Sequence, residues 1–115
     1  MTNIKIFTDQ DGSIVQYEIS GHADFDEYGK DILCAAISVL SQTTLIALNK
    51  VCGIKEKDIA FSVDDESGYL KVSIPKNLEK NIKDKANVVL ETMIVGIEDL
   101  AYQYPKYISI KKEEV

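Results

Sequence analysis

The only histidine of this chain, His22, and one of its two cysteines, Cys34, stand at the ends of the stretch HADFDEYGKDILC. An imidazole and a thiol are the pair from which a covalent hydrolase can be built. The thiolate is the nucleophile, and a free cysteine is mostly protonated near neutral pH. A neighbouring imidazolium lowers the thiol pKa, and so does a helix N-terminus with its unpaired N–H groups. Cys34 falls in the first turn of an expected helix, so the second device is present by position. His22 ends a strand and is placed to supply the first. The same free N–H groups can hold the oxyanion formed when a thiolate attacks a peptide carbonyl. A cysteine peptidase needs those three parts.

Each residue also has a plainer reading. A cysteine near a helix start is commonly filling, and a histidine beside a glycine is commonly a turn residue. Flexible chain between His22 and Cys34 spans on the order of 20 Å, so only the fold can bring them together. Asp31 either caps the helix through the N–H of Leu33 or Cys34, or orients His22 as the third member of a triad. As a carboxylate beside Cys34 it would also disfavour the thiolate. Ser38, one turn beyond Cys34 on the same helix face, is a candidate for substrate contact or for a bond back to its own helix. Gly21 and Gly29 bound the loop and together would let residues 22–30 swing; plain turns are the alternative. Asp24, Asp26 and Glu27 read as a solvated loop, or as an attraction for a basic substrate. Phe25, apolar in so polar a stretch, is a candidate cover for the groove.

The elements that must position these side chains follow from periodicity. NIKIFT, residues 3–8, alternates as a strand, the Asp11-Gly12 step turns, and SIVQYEIS returns with Val15, Tyr17 and Ile19 on one face. A helix is expected from about Asp31 to Val51, apolar around most of its first turns and so buried on several sides. Ile59, Phe61 and Val63 alternate, DESG turns, and Leu70, Val72 and Ile74 alternate again. Asn77 is the expected N-cap of a second, amphipathic helix carrying Leu78, Ile82, Ala86, Val89, Leu90, Met93, Ile94 and Ile97. YISIK, residues 107–111, follows Pro105 as a last strand. The order ββαββαβ gives an α+β two-layer sandwich: one largely antiparallel sheet of about five strands, with both helices on one face. Such an architecture names no function.

The 115 residues, 1–115, make a single expected domain. Thirteen basic against nineteen acidic residues give a net charge of −6. No basic face for phosphates appears, and the aromatic residues form no stacking platform, so nucleic acid is disfavoured as a partner. No apolar run looks long enough for a membrane span, and MTNIKIFTDQ lacks a signal peptide's apolar stretch, so a cytoplasmic protein without membrane contact is expected. Cys34 and Cys52 would lie roughly 27 Å apart along one helix, too far for a disulfide. Two free thiols fit a reducing compartment. Cys52, just before Gly53 at a helix stop, reads as small apolar filling. One His and one Cys among flexible acids make a poor zinc set, so neither metal nor cofactor is expected.

The run G-H-A at residues 21–23, with D-E-Y-G-K-D-I-L-C-A-A-I-S-V-L at 26–40, resembles the signature of the ribosomal-processing cysteine protease family, Prp. The similarity extends along the whole chain. It implies an α+β fold, a homodimer, and a catalytic dyad of His22 as base and Cys34 as nucleophile. It implies a substrate too: the short N-terminal extension of the twenty-seventh protein of the large ribosomal subunit, removed for ribosome assembly or function. Gly21 matches the family's hinge, and Asp31 and Ser38 match its acid and its serine. The family's substrates present aromatic residues before the cleaved bond, which implies an apolar pocket, with the helix face around Ile37 and Val39 as its candidate lining. The competing reading is a ribosome-associated binding module that docks without cutting. A redox thiol is a third, for which Cys52 lies too far away to act as resolving partner.

Overall fold

The structure, a computed structural model, describes residues 1–27 and 31–115. Strands β1 (Thr2–Thr8) and β2 (Ile14–Ser20) form the first hairpin, joined by a turn that Asp9 organises. Its carboxylate accepts the N–H of Asp11 and of Ser13, both at 3.0 Å. The register slips between Phe7 and Thr8, so Ile14 is buried in the core and Val15 packs half-buried against it. The Ile14 N–H is taken by Asn87 Oδ1 at 2.9 Å, tying the hairpin to the second helix.

Helix α1 (Ile32–Lys50) and helix α2 (Lys80–Gln103) are connected through β3 (Ala60–Asp64) and β4 (Tyr69–Ser73); β5 (Ile108–Glu114) closes the chain. A single turn of 3-10 helix, Glu56–Asp58, leads into β3. The five strands make one sheet in the order β3-β4-β2-β1-β5. The hairpin pairings and β2–β4 are antiparallel, whereas β5 lies parallel to β1, so the sheet is mixed. The expected order and layering hold. The KKEE run is part of β5 rather than a loose tail.

Alternation decides which face of the sheet is covered. Ile4, Ile6, Tyr17, Ile19, Leu70 and Val72 are buried with Ile37 and Leu48 of α1 and Leu90, Met93 and Ile97 of α2 in one cluster. On the opposite face Lys5 pairs with Glu18 and Glu18 with Lys71, a row of alternating charge across three strands. Tyr17 is fully buried and donates its hydroxyl to the Ser41 carbonyl at 2.8 Å, fastening β2 under α1.

Three expectations need correction. Asn77 lies in a turn with Lys76, and α2 begins only at Lys80 with Glu79 at its N-cap and no side-chain capping bond. The chain uses those residues to step from the sheet down to the helix layer. Secondly, Phe61 and Val63 alternate as expected yet are 57% and 54% exposed, because β3 is an edge strand that no helix covers. Thirdly, α1 is long and apolar enough by length and composition to cross a membrane, with mean hydropathy 1.7. Its stripe of Leu33, Ile37, Ser41, Thr44 and Leu48 is nevertheless buried against the rest of the fold.

Candidate active site

His22 follows the end of β2, and Cys34 occupies the first turn of α1. The fold brings them together: Cys34 Sγ lies 4.0 Å from His22 Nδ1. Asp31 makes this possible from the α1 side. One carboxylate oxygen accepts the N–H of Leu33 (2.9 Å) and Cys34 (3.1 Å), capping the helix. The other accepts the N–H of Phe25 (2.8 Å) and Asp26 (3.2 Å), holding the loop that follows His22. A single buried side chain therefore fixes both halves of the pair. Burial opposes its ionisation, yet these four N–H donors hold the carboxyl below the ordinary carboxylate range. Of the two roles open to Asp31, capping is the one its hydrogen bonds fill.

The ring of His22 is set from the other side of the site. Its Nε2 lies 2.8 Å from the main-chain carbonyl of Glu66, in the turn between β3 and β4. A carbonyl only accepts, so Nε2 carries the proton. In the neutral ring Nδ1 then presents its lone pair, and it is Nδ1 that faces the sulfur. The turn can approach this closely because Gly68 has no side chain. A Cβ there would stand 2.6 Å from the Gly21 carbonyl oxygen and 3.1 Å from His22 Cε1, at a φ of +67° that L side chains seldom adopt. Gly21 is as tightly held: φ is +84°, and a Cβ would lie 2.6 Å from the Met1 carbonyl oxygen. Nothing local in DESG marks this turn, read in sequence only as a turn, as part of the site.

The sulfur is not the ready-made thiolate that helix position suggests. Burial pushes the Cys34 thiol above its ordinary range, and the Asp31 carboxylate pushes it the same way. The backbone N–H groups of Ala23 and Asp24 act against them; Ala23 N is 3.3 Å from Sγ. The helix-end N–H groups expected to hold an oxyanion are spent as well, since those of Leu33 and Cys34 bond Asp31. Asp24 adopts φ +60°, unusual outside glycine, which belongs to the same tight curl around the sulfur.

Two hollows meet at the pair. One is lined by Cys34, His22, Ile37, Ser38, Val63 and Tyr69, between α1 and the β3–β4 hairpin. The other, on the loop side, is lined by Cys34, His22, Asp24, Asp26, Asp31 and Ser38. Ser38 is exposed at the junction of both, and among the described residues its hydroxyl makes no hydrogen bond. Val39 belongs elsewhere: it is exposed on the side of α1 that faces Val88 and Thr92 of α2. Phe25 does not cover the groove; its ring meets Tyr104 and Tyr107 edge-on at 5.5 and 5.3 Å, pinning the loop to the end of α2 and the start of β5. Gly29 lies outside the described residues. Cys34 and Cys52 are both free thiols, the second buried in the core. Among the described residues, no group of three or more His, Cys, Asp or Glu could hold a metal ion.

This geometry coincides with a broad likeness to known proteins. The family described as cysteine protease Prp matches residues 1–109. The ribosomal processing cysteine protease Prp of Bacillus subtilis is 28% identical over 104 residues, covering 90% of each chain. The Staphylococcus aureus protein of the same name is 26% identical, covering 96% of this chain and 97% of its own. Among solved structures, SMU.848 from Streptococcus mutans superposes with a TM-score of 0.83 at 27% identity, over 100% of this chain and 96% of that one. The Staphylococcus aureus Prp in complex with a covalently linked product peptide gives 0.80 at 25% identity, over 97% and 99%. A chain with a thiol and an imidazole converging on a groove, matched over nearly its whole length, belongs to the cysteine protease Prp family.

Proposed function

We propose that the protein is a cytoplasmic endopeptidase that removes the N-terminal extension of the twenty-seventh protein of the large ribosomal subunit. The observation that carries this reading is the Cys34–His22 contact at the meeting point of two open hollows, with the lone pair of Nδ1 turned to the sulfur. The names of the relatives supply the ribosomal context.

In this reading the resting site holds a protonated thiol. As Sγ attacks the scissile carbonyl carbon, Nδ1 takes the thiol proton, closing a 4.0 Å separation that is long for proton transfer. The carbonyl oxygen becomes an oxyanion, and the Ala23 N–H, already directed at the sulfur, is a donor placed beside it. The imidazolium, stabilised through Nε2 by the Glu66 carbonyl, returns its proton to the departing amine. The acyl group left on Cys34 is released when Nδ1 draws a proton from an attacking water. Ser38, beside both hollows, is a substrate-contact residue, and Gly21, at φ +84°, is the hinge position at which the chain leaves β2 for the His22 loop.

Two further parts rest on surface and compartment. A reducing cytoplasm suits a free, half-buried nucleophilic thiol. A homodimer is supported by exposed apolar residues along both helices, Ile32 and Val39 on α1 and Val88, Val95 and Tyr102 on α2.

The test of substrate identity uses the ribosomal protein itself, with and without its extension, incubated with the wild-type enzyme and followed by mass spectrometry. A single cut that releases the extension is expected. An untouched extension, or cuts scattered through both forms, would overturn the assignment.

A further inference from the structure

An edge strand with core-type alternation and no helix over it among the described residues calls for an explanation. Phe61 pairs with Val72 and Val63 with Leu70, and residues directly opposite in an antiparallel pair share a face. Val72 and Leu70 are buried under the helices. Phe61 and Val63 therefore point to the same apolar side but stay more than half exposed, as does Ile46 at 54% across from them on α1.

These side chains form a trough that continues the site. Val63 lines the hollow that holds Cys34 and His22, and Phe61 lines the next hollow with Ile46, Leu45 and Ile59. From Cys34 to Ile46 along α1 is roughly 18 Å, the reach of about five extended residues at about 3.3 Å each. The outer edge of β3 has no strand beside it in the sheet order. On the opposite side of the pair the hollow is walled by Asp24, Asp26 and Asp31.

We infer that the substrate binds as an extended strand along the free edge of β3, its apolar side chains seated between Phe61, Val63 and α1, with its basic residues across the scissile bond over the acidic hollow. The inference rests on the peptidase reading above and assigns Phe61 and Val63 as specificity-determining residues. Main-chain bonds to an open edge give affinity without regard to sequence, while side chains of one face enter pockets and set preference. A peptide bond held at Cys34 forces its flanking residues into the two hollows, because both open at that sulfur. The sheet edge is thereby protected from aggregation by being a binding site, short and bordered by Asp64 and Asp65.

Kinetics of cutting a peptide spanning the ribosomal extension, for wild type and for Phe61→Ser/Val63→Ser, test it. The double variant is expected to lose roughly tenfold or more in kcat/KM, mainly through KM. Its Tm stays unchanged, since neither side chain is in the core. In parallel, amide hydrogen exchange of Cys34→Ala, with and without the same peptide, should show protection at residues 60–64. Wild-type rates in the double variant, or a bound peptide that leaves β3 unprotected, overturn the inference alone. A change of oligomeric state with kcat/KM intact assigns the trough to a second copy and also overturns it. A peptide that wild type leaves uncut removes the peptidase reading and this inference together.

Discussion

Cys34 is a poor thiolate at rest, and that sets its pH behaviour. Burial, then the Asp31 carboxylate, holds the thiol above its ordinary range. The ionised fraction, and with it alkylation by iodoacetamide, is expected to keep rising through pH 7–9 without a plateau. A rate flat across that window would contradict this. Asp31→Asn can keep the Oδ1 cap of α1 but removes the negative charge and the acceptor for the Phe25 and Asp26 N–H groups, and the lost charge should make Cys34 react faster at a fixed pH. The same substitution tests stability linkage. The Asp31 carboxyl is held below its usual range when folded, so its contribution is present above about pH 4 and lost as pH falls through the folded value. The Asp31→Asn variant should therefore show a flatter acid limb of the stability curve, read by denaturant titration. At Gly68 a methyl group meets the Gly21 carbonyl. Gly68→Ala is expected to displace the Glu66 carbonyl from Nε2 and lower kcat at least tenfold, with the Nε2–H tautomer of the lone histidine lost from its 15N shifts.

At the scale of elements, Tyr17 joins β2 to α1. Tyr17→Phe leaves the buried Ser41 carbonyl without its 2.8 Å donor and should cost about 1–2 kcal/mol in urea unfolding. A loss below a few tenths would show that water replaces the bond. The strands, both helices and the ββαββαβ order were legible because period-2 and period-3.6 patterns are local properties of the chain. That His22 and Cys34 meet was legible only through the motif around Gly21–Ala23 and Asp26–Leu40; spacing alone could not show that a loop folds His22 onto Cys34. Asp31 was legible as a cap, because N-cap chemistry acts within three residues. The Glu66 carbonyl was not, since a backbone atom far along the chain has no side-chain signature. The exposure of Phe61 and Val63 was hidden too: alternation states which way a side chain points, and only topology states whether anything lies over it. The start of α2 shifted from Asn77 to Lys80 for a similar reason, the turn at Lys76 being imposed by the sheet it leaves.

For the whole molecule, charge and apolar surface carry separate expectations. A net charge of −6 with acids beside the site draws basic substrates, so kcat/KM for the ribosomal peptide should fall as salt rises from 50 to 500 mM. Val95→Asp, on the exposed stripe of α2, should convert a dimer to a monomer in light scattering while leaving the fold intact; an unchanged mass would place the dimer contact elsewhere or remove it. The most direct measurement is single-turnover cleavage of the extension peptide by wild type, Cys34→Ala and His22→Ala, followed by intact mass. The account predicts one cut by wild type and none by Cys34→Ala, with His22→Ala slowed by a hundredfold or more. Equal cutting by Cys34→Ala would contradict it.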